Sequence, residues 1–136
     1  MSGLPAELPD PGPDTAGFWA AAADGRLLLP RCAACEFVIW YPRPFCPRCQ
    51  STDVQWIEAS GSGWVYSFTI VRRGTGVYQH ATPYVLAYVE LDEGPRVLTN
   101  IVDAEPDGVR IGQRVLAVFD PVRPGAALVR FRREVP

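Results

Sequence analysis

The stretch that decides the fold is Cys32-Ala-Ala-Cys35 followed, after ten intervening residues, by Cys46-Pro-Arg-Cys49. These four are all the cysteines of the sequence. Two C-x-x-C pairs at this spacing can direct four thiolates at one point, which is the tetrahedral arrangement of a zinc ribbon. Iron, as in rubredoxin, fits the same geometry, and two disulfides would need an oxidising compartment that nothing in the sequence indicates. We expect all four thiolates to bind one zinc ion.

The segment between the two pairs suits a hairpin. Phe37–Tyr41 is rich in β-formers, and Pro42-Arg43-Pro44 predicts a turn back. Glu36 and Gln50 each follow a pair, where glycine often relieves the turn. With four cysteines the coordination is closed, leaving no position for water or substrate, so the sequence predicts a structural metal that folds the ribbon.

Composition places the chain among ordinary folded domains. It has 136 residues, 48% of them apolar and 21% charged, enough for one domain or a small domain plus a metal module. No apolar stretch approaches the ~20 residues of a membrane span. The start, Met1-Ser2-Gly3-Leu4-Pro5, lacks the features of a signal peptide. Together with reduced cysteines, this predicts a cytoplasmic protein.

The charged residues restrict the possible functions. Every basic residue other than the single histidine is arginine, so no lysine is available for Schiff-base chemistry. Residues 1–59 hold four arginines against seven acids, and residues 60–136 hold nine against eight. A nucleic-acid-binding protein usually shows a basic footprint, and the best one available here is Arg130, Arg132 and Arg133.

Residues 1–13, with four prolines, predict a flexible arm. A second unit, residues 14–59, contains a short helix and the zinc ribbon. Asp14-Thr15 can cap a helix through Phe18–Ala23, and Gly25 ends it. The ribbon is completed by two short strands, Arg26–Arg31 and Val54–Ile57.

Residues 60–136 predict a β-barrel, beginning after the break Ser60-Gly61-Ser62-Gly63. Five strands in about 75 residues, the first long enough to bend, indicate a Greek-key barrel of the OB type, with an SH3-like barrel as the main rival. In the first strand, alternation places Trp64, Tyr66, Phe68 and Ile70 on one face. The strands are Trp64–Arg72, Tyr84–Leu91, Arg96–Asp103, Arg114–Phe119 and Ala126–Arg133. The chain is thus mainly β: a short helix, a zinc ribbon and a five-stranded OB-type barrel.

Several motifs, in order along residues 14–133, resemble a known family. They are Phe18-Trp19, Gly25-Arg26-Leu27, the two cysteine pairs around Tyr41-Pro42-Arg43, Ser60–Thr69, Thr82-Pro83-Tyr84, Leu91–Gly94 and Ile111–Val115. Together they are similar to the OB-fold proteins with an N-terminal rubredoxin-like zinc ribbon that accompany thiolase-superfamily enzymes. Relatives often have two prolines where this chain has Pro42 alone.

The resemblance implies a non-catalytic partner subunit with a structural zinc. Its partner would be a thiolase, a lipid-transfer-protein-type thiolase homologue or an acyl-CoA hydratase, in a hetero-oligomer. One branch of the family supports retro-aldol cleavage of steroid side-chain CoA thioesters, with catalysis in the thiolase-like partner, and we expect this chain to belong there. Exposed aromatic side chains and the Gly74–Thr82 loop would face the partner or its CoA channel. The candidate residues are Phe18, Trp19, Trp40, Arg72, Arg73, Tyr78 and His80.

Two further functions are compatible with the residues. OB barrels and zinc ribbons both occur in single-stranded nucleic-acid-binding modules, although the acidic balance disfavours that function here. A free-standing CoA-thioester enzyme would need a nucleophile and an acid–base pair, and no recognisable constellation is present. His80 and Tyr78 lie in a loop where solvated side chains are common, and Arg72 and Arg73 end a strand.

Overall fold

The structure is a computed structural model that describes residues 3–7, 10 and 12–134. Its elements form three parts: a helix, a two-stranded ribbon sheet and a closed barrel. They are α1 (Ala16–Ala23), β1 (Leu28–Cys32), β2 (Val54–Glu58), β3 (Ser62–Val71), β4 (Tyr84–Leu91), β5 (Arg96–Val102), β6 (Arg114–Arg123) and β7 (Ala126–Arg133). Within these ranges, no helix is long and apolar enough to cross a membrane.

The helix forms where alanine content favours it and buries one side against the barrel. Phe18, Trp19 and two alanines are buried, and α1 packs mainly on β7. Thr15 is the N-cap residue, but its hydroxyl donates back to the Gly12 carbonyl at 3.4 Å and caps no helical N–H. The prediction of a short helix near this position is confirmed, while the predicted side-chain cap is wrong.

The zinc ribbon contains one antiparallel sheet, in which β1 pairs with β2 from Leu28↔Glu58 to Cys32↔Val54. The predicted hairpin between the cysteine pairs is wrong. Phe37–Tyr41 contributes a single bridge, Val38 to Arg31, because its backbone pairs only briefly with β1: Cys32 N donates to the Phe37 carbonyl and Ile39 N to the Pro30 carbonyl. Ile39 is fully buried beside Cys32 and Cys46.

The barrel has the predicted five strands, closed in the order β3-β4-β5-β7-β6. Neighbouring strands are antiparallel except β5 and β7, which pair in parallel over Ile101↔Phe131 and Val102↔Arg132. This connectivity is that of an OB fold and decides against the SH3-like alternative. The strand β6 runs four residues beyond the predicted Phe119, through a register shift near Pro121 where a missing N–H is tolerated.

A bulge in β3 changes which residues face the core. The register with β4 shifts between Val65 and Ser67, so Tyr66 is the extra residue. Val65 is fully buried before the bulge, and Phe68 and Ile70 contact the core after it. The predicted single face containing both Tyr66 and Phe68 is therefore wrong, because one extra residue inverts the two-residue alternation.

The main apolar core crosses the predicted boundary at residue 60. Phe18 and Trp19 of the helix, and Leu27 and Leu29 around β1, belong to the same buried cluster as Val65 and the other barrel residues. A small second cluster surrounds Cys32, Ile39 and Cys46. The predicted domain limits stay a prediction, but the helix and the start of the ribbon share the barrel's core.

Candidate metal centre and partner-facing surfaces

The two cysteine pairs form matching turns. Backbone N–H groups donate to the first sulfur of each pair, Cys35 N to Cys32 Sγ and Arg48 N to Cys46 Sγ, both at 3.4 Å. Glu36 N donates to the Cys32 carbonyl and Gln50 N to the Cys46 carbonyl, closing each turn. Glu36 and Gln50 both have φ of +67°, the left-handed conformation expected where glycine is common.

The turns bring the four sulfurs to one point. All Sγ atoms lie within 4.8 Å of one another, with Cys32–Cys49 at 3.5 Å and Cys35–Cys46 at 3.6 Å. These distances are too long for a disulfide bond of about 2.05 Å. They are close to the edge of a zinc tetrathiolate tetrahedron, about 3.8 Å for Zn–S bonds of about 2.3 Å. The residues present therefore fit a tetrahedral metal ion.

Thiol ionisation in the cluster follows from these contacts. The N–H of Cys35 lowers the pKa of Cys32. Although burial opposes ionisation of Cys46, the N–H groups of Cys49 and Arg48 lower its pKa to about 6. For Cys49 the N–H of Ser51 favours the thiolate, but the neighbouring sulfurs, led by Cys32, and burial raise its pKa to about 12. Four adjacent thiolates thus need a cation, which a divalent metal supplies.

The predicted partner-facing residues occupy two regions. Phe18, Trp19 and Trp40 form a row of edge-to-face rings, with Phe18–Trp19 centroids at 4.9 Å and Phe18–Trp40 at 5.3 Å. The row continues from Trp40 to Tyr41, whose ring centroids are 5.1 Å apart, and Tyr41 is 40% exposed. Phe18 and Trp19 are only 3% and 8% exposed, so the expectation that they are exposed in the isolated chain is wrong. They pack against the barrel, which leaves Trp40 and Tyr41 nearer the surface.

An apolar cleft of about 250 Å³ adjoins this row. It lies between the aromatic row and the facing parts of β5 and β7, whose backbones pair only at Ile101 and Val102. Leu98, which lines the cleft, is 54% exposed.

The other four candidates lie on or beside the loop between β3 and β4. Arg72 forms an exposed ion pair with Asp107 at 3.6 Å, and Arg73 and His80 are exposed. Tyr78, in a short 3-10 turn, is half-buried and packs against Tyr84, with ring centroids 5.1 Å apart and ring planes tilted by 42°. Their contact with a partner stays a prediction.

Sequence reasoning missed a buried polar network around Arg130. Arg130, which the sequence predicts in a basic surface patch, is 2% exposed, and its Nη1 pairs with Asp120 Oδ2. Its Nε donates to Asn100 Oδ1 at 3.2 Å, and Asn100 Nδ2 donates to the Val85 carbonyl at 2.9 Å. The register of β6 with β7 places Asp120 diagonally opposite Arg130 on one face, and the sequence alone carries no signal for that register. The predicted basic patch therefore loses its first residue.

Family models match both halves of the chain. The rubredoxin-like zinc ribbon domain of ChsH2 matches residues 19–55, and the ChsH2 C-terminal OB-fold domain matches residues 56–120. The solved Ltp2-ChsH2(DUF35) aldolase contains a chain that is 38% identical, with a TM-score of 0.84 over 94% of this chain and 100% of that one. This chain belongs to the ChsH2-type DUF35 family. Its four-cysteine metal is accordingly a structural zinc.

Some curated relatives in the family are named as enzyme subunits and others as DUF35 domain-containing scaffold proteins. A probable enoyl-CoA hydratase alpha subunit of Thermomonospora curvata is 42% identical over 90% of this chain, which spans only 38% of that relative. The 3-oxo-4,17-pregnadiene-20-carboxyl-CoA hydratase alpha subunit of Mycobacterium tuberculosis is 33% identical over 82% of this chain and 35% of its own length. The benzoylsuccinyl-CoA thiolase subunit BbsA of Geobacter metallireducens is 32% identical over 68% of this chain and 61% of its own length.

Proposed function

We propose that this chain is a non-catalytic accessory subunit of a thiolase-fold enzyme that acts on acyl-CoA thioesters. The observation that carries the proposal is the likeness to the chain of the Ltp2-ChsH2(DUF35) aldolase, which extends over that whole chain at 38% identity. The thiolase subunit BbsA supports a thiolase-type partner. A four-cysteine zinc site has no open position for substrate, which supports placing the chemistry in the partner.

The reaction we propose is retro-aldol cleavage of a β-hydroxyacyl-CoA from a steroid side chain. The aldolase supports the reaction class, and the pregnadiene-carboxyl-CoA hydratase subunit supports a steroid substrate. The proposed location is the cytoplasm, which suits four cysteines gathered as thiolates around a metal. The exposed Arg72, Arg73 and His80 are proposed to lie at the partner's CoA channel, where arginine suits phosphate.

The test is reconstitution with a lipid-transfer-protein-type thiolase homologue from the same organism. Cleavage of a steroid β-hydroxyacyl-CoA is measured for the partner alone, for this chain alone and for the mixture, with hydration of the corresponding enoyl-CoA as a parallel assay. The proposal expects cleavage by the mixture and none by this chain alone. A partner that is fully active by itself, turnover by this chain alone, or hydration as the only reaction would contradict it.

A further inference from the structure

The N-terminal arm contacts the outside of the barrel at Arg130. In β7 the side chain of Phe131 lies in the core, so its neighbour Arg130 points away from the core, where strand residues are normally solvated. Arg130 is nevertheless buried, and its Nη2 donates to the Pro5 carbonyl at 2.6 Å. Leu4 and Pro5 are half-buried, whereas Ala6 and Glu7 are exposed. The arm therefore covers this guanidinium over a short segment around Pro5.

The same nitrogen links the arm to the loop between β3 and β4. Arg130 Nη2 donates to the Tyr78 hydroxyl at 3.1 Å, and that hydroxyl lies 3.5 Å from the Pro5 carbonyl oxygen. The Tyr78 ring rests on Tyr84, the first residue of β4. A guanidinium, a phenol and a second aromatic ring thus meet where the arm's carbonyl binds.

The chemistry of this site favours a neutral carbonyl over an anion. Asp120 pairs with Nη1 of Arg130 and compensates its charge, while Asn100 accepts from Nε. The Nη2 group, which donates to the Pro5 carbonyl and the Tyr78 hydroxyl, therefore suits neutral acceptors better than a phosphate or a carboxylate. Tyrosine rings beside a donor to a backbone carbonyl are the means by which proline-rich extended segments are recognised.

We propose that Arg130, Tyr78 and Tyr84 form a binding site for an extended proline-containing segment, occupied by the chain's own arm around Pro5, and that this occupancy orders the Gly74–Thr82 loop. The inference does not rest on the proposed enzyme partner. It assigns the arm a role as an intramolecular ligand.

The Gly74–Thr82 loop folds compactly around Tyr78, the residue that contacts Arg130 and the arm. It is closed on itself by Tyr78 N to the Thr75 carbonyl at 3.1 Å and Ala81 N to the Tyr78 carbonyl at 3.0 Å. A Cβ on Gly74 would overlap the Tyr78 carbonyl, so the loop folds tightly around that residue. Tyr78 is the residue of this loop that reaches Arg130 and the arm, so releasing it frees the loop as a unit.

The first test compares hydrogen exchange in the full chain and in a variant lacking residues 2–7. We expect amides of Gly74–Thr82 to exchange about threefold faster without the arm, since the Tyr78 hydroxyl then loses its neutral contact with the Pro5 carbonyl but keeps its hydrogen bond from Arg130. In the full chain, Tyr78→Phe should speed the same amides, whereas Tyr88→Phe, on an exposed barrel position, should not. Unchanged loop exchange in the truncated chain and in Tyr78→Phe would overturn the proposal.

The second test supplies the arm in trans. A fluorescein-labelled peptide with the sequence of residues 3–13 is titrated into the truncated chain and followed by anisotropy. We expect saturable binding that slows loop exchange again, and at least tenfold weaker binding to the full chain, whose site is occupied. A peptide that leaves the loop of the truncated chain unchanged, or that binds the full chain equally well, would contradict occupancy by the arm.

Discussion

Gln50 shows how a single backbone conformation affects the ribbon. Its φ of +67° is costly for a residue with a Cβ, by about 1–2 kcal/mol. Gln50→Gly should raise the free energy of unfolding of the zinc-loaded protein by about 0.5–1 kcal/mol, since glycine's greater freedom when unfolded offsets part of the relief. Gln50→Val should lower it by about 1 kcal/mol or more, because a β-branched residue tolerates this conformation least.

The measurement is guanidinium unfolding at fixed free zinc. Gln79→Gly is the matched control, because Gln79 is also exposed but has an ordinary φ of −55°. It should be destabilised by about 0.5–1 kcal/mol. If Gln50→Gly behaved like this control, the left-handed strain assigned to the second cysteine turn would be absent.

Arg130 and Asp120 form a buried ion pair whose energy depends on both partners. Arg130→Met should lower the free energy of unfolding by about 3–5 kcal/mol, because it leaves the Asp120 carboxylate buried without the guanidinium. The double variant Arg130→Met/Asp120→Leu should recover most of that loss. Thermal and denaturant unfolding measure both, with half-buried Arg132→Met as the control. A double variant as unstable as Arg130→Met would show that the arm and Asn100 contacts dominate instead.

The sequence predicts the positions of some single residues in the fold and not of others. The four cysteines define their site by spacing alone, because the turn geometry is local. Arg130 could not be recognised as buried, since its partners lie 10, 30 and 125 residues away along the chain. Large aromatic side chains such as Phe18 and Trp19 are common both in cores and at interfaces. Their position in the core is seen only from the packing of α1 on β7.

At the scale of elements, the barrel strands were predictable and their irregularities were not. Alternating apolar residues and turn sequences locate β3 to β7 within a few residues of their positions. The bulge at Tyr66 has no local signal, because it is fixed by the register with β4. The hairpin expected at Phe37–Tyr41 does not form, and this too depends on tertiary contacts that the local sequence does not show. Burial of Ile39 beside the cysteines outweighs the strand propensity of the segment.

Close approach of β3 and β4 explains a glycine at the start of the barrel. A Cβ on Gly63 would lie 2.5 Å from the Glu90 carbonyl oxygen and 2.9 Å from Val89 Cγ1. Gly63→Ala should therefore cost about 1–3 kcal/mol of unfolding free energy. Gly108→Ala, whose Cβ would meet only the mobile end of Arg133 at 3.4 Å, should stay within about 0.5 kcal/mol of the parent. Equal effects in the two variants would contradict the steric argument.

For the whole molecule, zinc should stabilise the ribbon more than the barrel. The ribbon's own core is small, centred on Cys32, Ile39 and Cys46, whereas the barrel has an extensive apolar core. Chelation should therefore unfold the cysteine turns and the Cys32 and Val54 ends of β1 and β2, with faster amide exchange there and a change in Trp56 emission. β4, β5 and Leu29, which shares the barrel core, should stay protected. Uniform loss of protection across both parts, or none, would contradict a zinc clip local to the ribbon.

The most direct test of the accessory-subunit account is the mass of the assembly. The zinc-loaded chain is mixed with the proposed thiolase-like partner and analysed by size exclusion with light scattering, beside a chelator-treated sample. We expect one hetero-oligomeric peak that contains both polypeptides and is lost when zinc is removed. Two separate peaks at micromolar concentration, or a metal-free chain that assembles equally well, would contradict it.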